Sequence, residues 1–243
     1  MDLKQTAEPV LRDYDFIDFG CSKGGSIAFA KKAFKAKRGI GIDISPEKVA
    51  VARDAGFDAM LADARTLTAH PRAVSFVTMM DFLEHVPSVK DARTCIIAAT
   101  TVARDFVFIR QPWFDTDGYL FSLGLKLFWS DWRGHPNAMT SLEIHNILSR
   151  HPNVERFRMY GSIPITSSAD PAVHALTSPV DQHDWSAEIH PPKPHLHFDT
   201  PVYRQIVCIA TLRGGSLAME EIESKIRWDS VIFDSASDQA TNL

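Results

Sequence analysis

The sequence predicts an α/β domain built on a seven-stranded, mainly parallel sheet with helices on both faces. Three observations predict it. Short apolar runs alternate with helical patterns from Asp15 to Arg110, as βαβ units require. The 243-residue length suits one such domain,. Hydrophobic residues are 45% of the chain and charged residues 23%, a balance that supports a sizeable core and excludes global disorder.

The elements follow in order. Asp15–Gly20 (DFIDFG) is an apolar run closed by glycine and reads as the first strand. Gly25–Lys37 reads as a helix with Ile27, Phe29, Ala30 and Phe34 at apolar positions. Its lysines cluster toward the C-terminus, where the helix dipole favours cations. Gly39–Ile44 (GIGIDI) is the second strand. Ser45 is placed to cap the next helix, with Pro46 at the first position and Gly56 as the stop. Phe57–Ala62 and Ala73–Met80 are the third and fourth strands, Val89–Val102 a helix and Phe106–Arg110 the fifth strand. The pattern then changes, and Trp113–Gly134 concentrates large apolar side chains. A helix at Ser141–Ser149, a sixth strand near Val154–Tyr160 and a seventh at Tyr203–Leu212 resume the alternation. Met219–Trp228 reads as a terminal helix, followed by a polar tail after Asp234. Ser162–Thr200 holds prolines and histidines without a period. Residues 1–243 thus read as one domain, with 112–134 and 162–202 as insertions.

Composition excludes several classes. Twenty-six Lys and Arg against 30 Asp and Glu leave a net charge of −4, without the basic footprint of a general nucleic-acid binder. Cys21, Cys95 and Cys208 are far apart and form no CxxC pair. That argues against a disulfide framework or thiolate zinc site and for a reducing, cytoplasmic compartment. The opening MDLKQTAEPVLRDYD lacks the apolar segment of a leader peptide. No run of 18 apolar residues exists to span a membrane,.

The chemistry begins at the first strand-to-helix turn, Asp18-Phe19-Gly20-Cys21-Ser22-Lys23-Gly24-Gly25-Ser26. Glycines there let a backbone approach a ligand, and the helix start offers free N–H groups. The dinucleotide pattern G-x-G-x-x-G is not met, because Ser22 takes the second glycine position. Asp18 would repel a pyrophosphate, which disfavours a nucleotide-dependent oxidoreductase. Asp18-x-Gly20-x-Ser22-x-Gly24 instead resembles motif I, (D/E)-x-G-x-G-x-G, of the class I S-adenosylmethionine-dependent methyltransferases. The resemblance covers about residues 14–160 and implies a Rossmann-like fold and S-adenosylmethionine as cofactor. It implies that Asp43, with Ile44 beside it, binds the ribose hydroxyls, which suit a bidentate carboxylate. It implies that Asp63, followed by Ala64, accepts from the adenine amino group. Met80, at the end of the fourth strand, falls beside the cofactor by the same likeness, although its apolar run reads as core. The segment Val77–Pro87 resembles the family's fourth strand and its "LEHVP" continuation. Two departures stand out: Ser22 replaces a glycine, and Val102-Ala103-Arg104-Asp105 lacks the family's glycine pair before the fifth strand.

Methyl transfer asks the protein for positioning and, with an oxygen or nitrogen acceptor, for a base. Imidazole suits that role near neutral pH, and the resemblance sets His85 at the cofactor's reactive end. The other reading, that Glu84 and His85 brace their loop, stays open. Asp81-x-x-Glu84-His85 with His135 also resembles a metal-binding constellation of small-RNA 2′-O-methyltransferases and of some ubiquinone-biosynthesis O-methyltransferases. Such residues suit Mg, Mn or Zn, but the metal-free base is the favoured expectation. The aromatic segment Trp113–Trp132 reads as part of an acceptor-side lid, with packing on the core or a homodimer interface as the alternative. His174, His183, His190, His195 and His197 read as a surface loop or second lid wall. The function expected is O-methylation of a small-molecule or glycan-like acceptor. The alternatives are metal-assisted 2′-O-methylation of RNA ends and a non-catalytic cofactor-binding subunit.

Overall fold

The structure, a computed structural model, describes residues 10–238. The leader reading falls largely on residues 1–9, which lie outside that range, as do the last five residues of the polar tail. β1 (Phe16–Phe19), β2 (Gly39–Asp43), β3 (Asp58–Leu61), β4 (Val74–Met80) and β5 (Ala103–Pro112) run parallel. Beyond β5 the sheet continues antiparallel through β9 (His197–Leu212), β7 (Val154–Ser167) and β10 (Ser230–Asp234). The spatial order is β10-β7-β9-β5-β4-β1-β2-β3. The order reverses between β1 and β4, which leaves a crevice at the C-terminal ends of these strands.

Eight strands stand where the sequence predicts seven. The addition is β10, which falls after the expected terminal helix; only Met219–Glu223 (α6) of that stretch is α-helical. β10 is exposed to half-buried, so no clean alternation marks it. Its anchor is tertiary: Asp234 accepts from Arg156 at 2.7 Å and from Arg158 at 2.6 Å, both on β7. Ser235–Asp238 (α7) then forms a helical turn. β7 and β9 also run past their expected ends, pairing Ile165 with Val202 and Ser167 with His197. Pro164 and Pro201, with an irregular register between Ile165 and Ser167, hide that extension in the sequence,.

Alternate strand residues feed two cores. On one face, α1 (Gly25–Phe34), α2 (Pro46–Asp54) and α6 cover Phe16, Phe76 and Phe106. These three rings stack across neighbouring strands at 4.9 and 4.7 Å between centroids, with Phe34 tilted onto them. Offset aromatic pairs of this kind contribute roughly 0.5–1.5 kcal/mol each beyond their burial. On the other face, α3 (Val89–Val102) and α5 (Ser141–Leu148) cover Ile17, Phe19, Val77 and Val107. α3 passes into β5 with no loop between them, Ala103 being both the C-cap and the first strand residue. The missing glycine pair thus corresponds to a missing loop.

The insertions pack onto this second core. α4 (Asp117–Ser122) leads to β6 (Leu125–Leu127), which pairs antiparallel with β8 (Val173–Ala175). Trp113, Leu120, Leu125, Leu127, Trp129 and Val173 are buried in the same cluster as α3. The indole of Trp129 donates to the Trp113 carbonyl, and that of Trp113 to Thr116 Oγ1, both at 2.8 Å. Trp113 and Trp129 are therefore structural, as the packing alternative has it. Trp132 is only partly buried.

Candidate active site

The C-terminal ends of β1 to β4 open onto a cleft of about 430 Å³. Six of the nine predicted cofactor residues line it: Gly20, Ser22, Asp43, Ile44, Asp63 and Ala64. The turn after β1 is shaped by Gly20 at φ +72°, Ser22 at +48° and Gly24 at +92°. At Gly20 a Cβ would lie 2.2 Å from the Phe82 ring, so only glycine lets this turn close against the loop after β4. Ser22 adopts the left-handed conformation although it is not glycine. Its N–H donates to Asp43 Oδ2 at 3.0 Å, and the Ser45 N–H donates to Oδ1 at 2.9 Å. Asp43 is thereby fixed with one acceptor site on each oxygen still free. Ile44, beside it, is 74% exposed.

The remaining three predicted cofactor residues stand off the cleft walls. Asp18 is wholly buried and accepts from Ser26, in the first turn of α1, and from Thr78 on β4 at 2.6 Å. It ties the turn to its neighbours from below. Burial pushes its carboxyl up to about 7, against the pull of those two hydroxyls. Gly24 makes the turn beside the Phe57 ring. Met80 is buried in the core under α1.

Asp63 lines the cleft but is engaged. It caps the 3₁₀ turn Ala64–Ala69 and receives Arg65 Nε at 3.0 Å and Nη2 at 2.6 Å, while Arg65 Nη1 reaches Asp91 at 2.8 Å. This Arg65 hydrogen bond holds the Asp63 carboxyl below its usual range. Arg65 sits two residues after Asp63, and that spacing is the signal that could have found it.

At the other end, β4 delivers Asp81, Phe82 and His85 to the cleft. Asp81 is left-handed at φ +49° and pairs with Arg110 on β5 at 2.6 Å. The 3₁₀ turn Leu83–His85 carries Glu84, which is 1% exposed and whose Oε2 has no hydrogen-bond partner in the protein. Burial pushes Glu84 up to about 8. His85 Nδ1 lies 2.7 Å from the Gly134 carbonyl and His135 Nδ1 lies 3.0 Å from the Trp129 carbonyl. A carbonyl only accepts, so both rings carry the proton on Nδ1 and present Nε2 as a lone pair. The rings meet edge-on, 4.9 Å between centroids, and desolvation lowers the pKa of His135. Asn137 locks the two loops together, donating Nδ2 to the Leu83 carbonyl at 2.9 Å and its backbone N–H to the Glu84 carbonyl at 3.3 Å. Of the four candidate metal ligands, Glu84, His85 and His135 converge; Asp81 is not in the group. Asn137 was not foreseen, though it stands only two residues beyond His135.

A second pocket of about 200 Å³, lined by His145, Phe157 and Arg213 among others, brings none of the predicted site residues together. No helix among the described residues is long and apolar enough to cross a membrane.

A carboxylate at the end of the second parallel strand, facing a glycine turn across an open cleft, defines a protein that binds a nucleoside-bearing cofactor. Residues 16–104 match the family described as "Methyltransferase domain". The chain is similar in fold to a methyltransferase from Archaeoglobus fulgidus, with 16% identity and a TM-score of 0.53, over 84% of this chain and 88% of that one. It is similar also to one from Thermotoga maritima, with 14% identity and a TM-score of 0.52, over 82% of each chain. The YcgJ protein of Bacillus subtilis has 14% identity and a TM-score of 0.52, over 82% of this chain and 91% of that one. No curated protein sequence matches. The residues present fit the cofactor. The free acceptor sites of Asp43 suit a pair of hydroxyls, and the uncovered Ile44 side chain beside it suits the face of an apolar ring system,.

Proposed function

We propose that this enzyme transfers the methyl group to a hydroxyl oxygen of a small-molecule or glycan-like acceptor. The observation that carries the reading is the tautomer of His85. Its Nδ1–H is committed to the Gly134 carbonyl, so Nε2 is the atom left to take a proton in the cleft. S-adenosylmethionine supplies an electrophilic methyl group when bound. The chain's own residues do the rest. Asp43 and the Gly20–Ser22 turn hold the nucleoside end, and His85 receives the proton of the acceptor hydroxyl. Trp132, 6.1 Å from His135 and 4.6 Å from His183 between ring centroids, forms an aromatic wall suited to the face of a sugar or ring,. The insertions 112–134 and 162–202 act as the acceptor-side lid in this reading. Three free, buried cysteines fit a cytoplasmic setting,.

The test is transfer of a labelled methyl group from S-adenosylmethionine to a panel of phenols, sugars and polyols, with the product identified by mass spectrometry. A methyl ether, stable to mild alkali, is the expected product. An alkali-labile methyl ester, or an N-methyl product from a matched amine panel with no ether formed, sinks the proposal.

A further inference from the structure

His85 owes its free Nε2 to one acceptor, the Gly134 carbonyl, and that carbonyl is itself held in place from the far side. Trp132–His135 is a β-turn, closed by the His135 N–H donating to the Trp132 carbonyl at 2.9 Å. Arg133 and Gly134 are its central residues. The closing bond leaves the Arg133 N–H and the Gly134 carbonyl to find partners outside the turn. The carbonyl takes the His85 Nδ1–H. The Arg133 N–H donates to Asp181 Oδ1 at 2.8 Å, and Arg133 Nε donates to Oδ2 of the same carboxylate. His183, two residues beyond Asp181, packs on the Trp132 ring with 4.6 Å between centroids. The insertion 162–202 thus grips the turn at two points. We propose that Asp181 is a positioning residue for the base: it clamps the turn at Arg133, and the clamped turn presents the Gly134 carbonyl that orients His85. The role in catalysis rests on His85 being the base; the hold on its tautomer does not.

The clamp is directional. One residue engages both carboxylate oxygens of Asp181, through a backbone N–H and a guanidinium N–H, and charge-assisted bonds of this kind fix orientation as well as distance. The Arg133 N–H, aided by the guanidinium, holds the Asp181 carboxyl below its usual range, so the carboxylate is ionised at neutral pH. The Arg133 side chain is 79% exposed, and an ion pair that open adds little to global stability. Its consequence is local. Asp181 sits at φ +58°, a left-handed conformation that aspartate tolerates better than most side chains. The turn has little slack, because the Trp132 ring lies over Gly134, where a Cβ would stand 3.2 Å from Trp132 Cδ1. A shift of the Arg133 peptide therefore carries the Gly134 carbonyl and the Trp132 ring with it. Asn137 does not duplicate the clamp. Its bonds go to the Leu83 and Glu84 carbonyls, which fixes the loop and leaves the rotation of the His85 ring to Gly134. Without that acceptor the neutral imidazole is free to carry its proton on Nε2, where it can no longer accept one from a hydroxyl.

The experiment uses the full chain labelled with heavy nitrogen at histidine. The His85 tautomer is read from long-range proton–nitrogen spectra at neutral pH, with its signals assigned by their loss in His85→Gln. Binding of S-adenosylhomocysteine, followed by calorimetry, shows that each variant folds. The parent chain should show His85 protonated on Nδ1. Asp181→Gly suits the left-handed backbone and removes the carboxylate; it should move most of the His85 population to the Nε2–H form and leave S-adenosylhomocysteine affinity nearly unchanged. Asp181→Asn keeps an oxygen for the Arg133 N–H and should restore most of the parent tautomer. With an acceptor that the parent methylates, Asp181→Gly should lower kcat by roughly 10–100-fold, and Asp181→Asn should recover most of the loss. A folded Asp181→Gly variant whose His85 stays protonated on Nδ1 overturns the proposal, as does a parent chain with the proton on Nε2. Where Asp181→Gly fails to bind S-adenosylhomocysteine, Arg133→Ala decides, because it strips the guanidinium from the same carboxylate: a measurable Nε2–H population is expected, and an unchanged tautomer overturns the proposal. A shifted tautomer with undiminished kcat leaves the clamp standing and overturns the reading of His85 as the base.

Discussion

The turn after β1 and the insertion beyond β5 are held by opposite means. Beneath the turn, the buried Asp18 has a hydroxyl donor on each oxygen. Within the insertion, His174 is equally buried, yet neither ring nitrogen makes a hydrogen bond within the protein; it packs instead against His190, 4.2 Å between ring centroids. Ser178 Oγ, Ser186 Oγ and His190 Nε2 are likewise without protein partners. A satisfied polar bridge gives one fixed geometry, which a cofactor loop needs. An apolar pack containing unmatched polar atoms is cheaper to open, because opening returns those atoms to water. The difference teaches that polar satisfaction fixes the turn after β1 in one geometry, while the insertion is held mainly by packing.

The largest effect expected is on turnover at the junction of the two regions. His85→Ala should lower kcat by roughly 10²–10⁴-fold and leave S-adenosylhomocysteine affinity nearly unchanged; retained turnover would return His85 to a bracing role. Next is the side of the turn after β1. Asp43→Ala should weaken S-adenosylhomocysteine binding by about 1–3 kcal/mol, read by calorimetry, and an unchanged affinity in a folded variant removes Asp43 from the cofactor site.

Stability against pH sharpens the comparison, because the two buried groups have opposite signs. Burial lowers His174 to about 4, whereas an imidazole in the unfolded chain titrates near about 6.5. The unfolded chain therefore takes up the proton first. The stability contributed is present above pH about 6.5 and is lost as pH falls toward about 4. Asp18 is raised to about 7 from an unfolded value of about 3.9. Its contribution is full below pH about 4 and is lost as pH rises through about 7. His174→Leu should flatten the Tm profile between pH about 6.5 and about 4, and Asp18→Asn should flatten it between pH about 4 and about 7, each by a few degrees,. Profiles that keep the parent shape in both variants would break the contrast.

The smallest effect belongs to Trp132. Trp132→Ala should raise the acceptor KM severalfold, about 1 kcal/mol of lost aromatic contact, with kcat and cofactor affinity intact, as for uniform binding. Trp129→Ala should instead lower Tm, because Trp129 is buried and bonded to Trp113.

The sequence by itself determined the parallel half of the sheet and the positions of Gly20, Ser22 and Asp43, because each depends on local pattern. Strand periodicity, a glycine turn and a carboxylate at a strand end are all readable within a few residues. The helix Val89–Val102 was legible to the residue, since Ser88 caps it and β5 follows at once. Only the tertiary structure decided the rest. β10 exists because Arg156 and Arg158, some 75 residues earlier, hold Asp234. Asp18 turned from the cleft to the core because the two-residue alternation of β1 points it beneath α1. Asp81 left the metal candidates when Arg110, on the neighbouring strand, took its carboxylate. The free nitrogen of His85 was fixed by a carbonyl 49 residues away. Each of these outcomes is a pairing between distant groups, and a pairing energy depends on distance and burial, which no one segment of sequence contains.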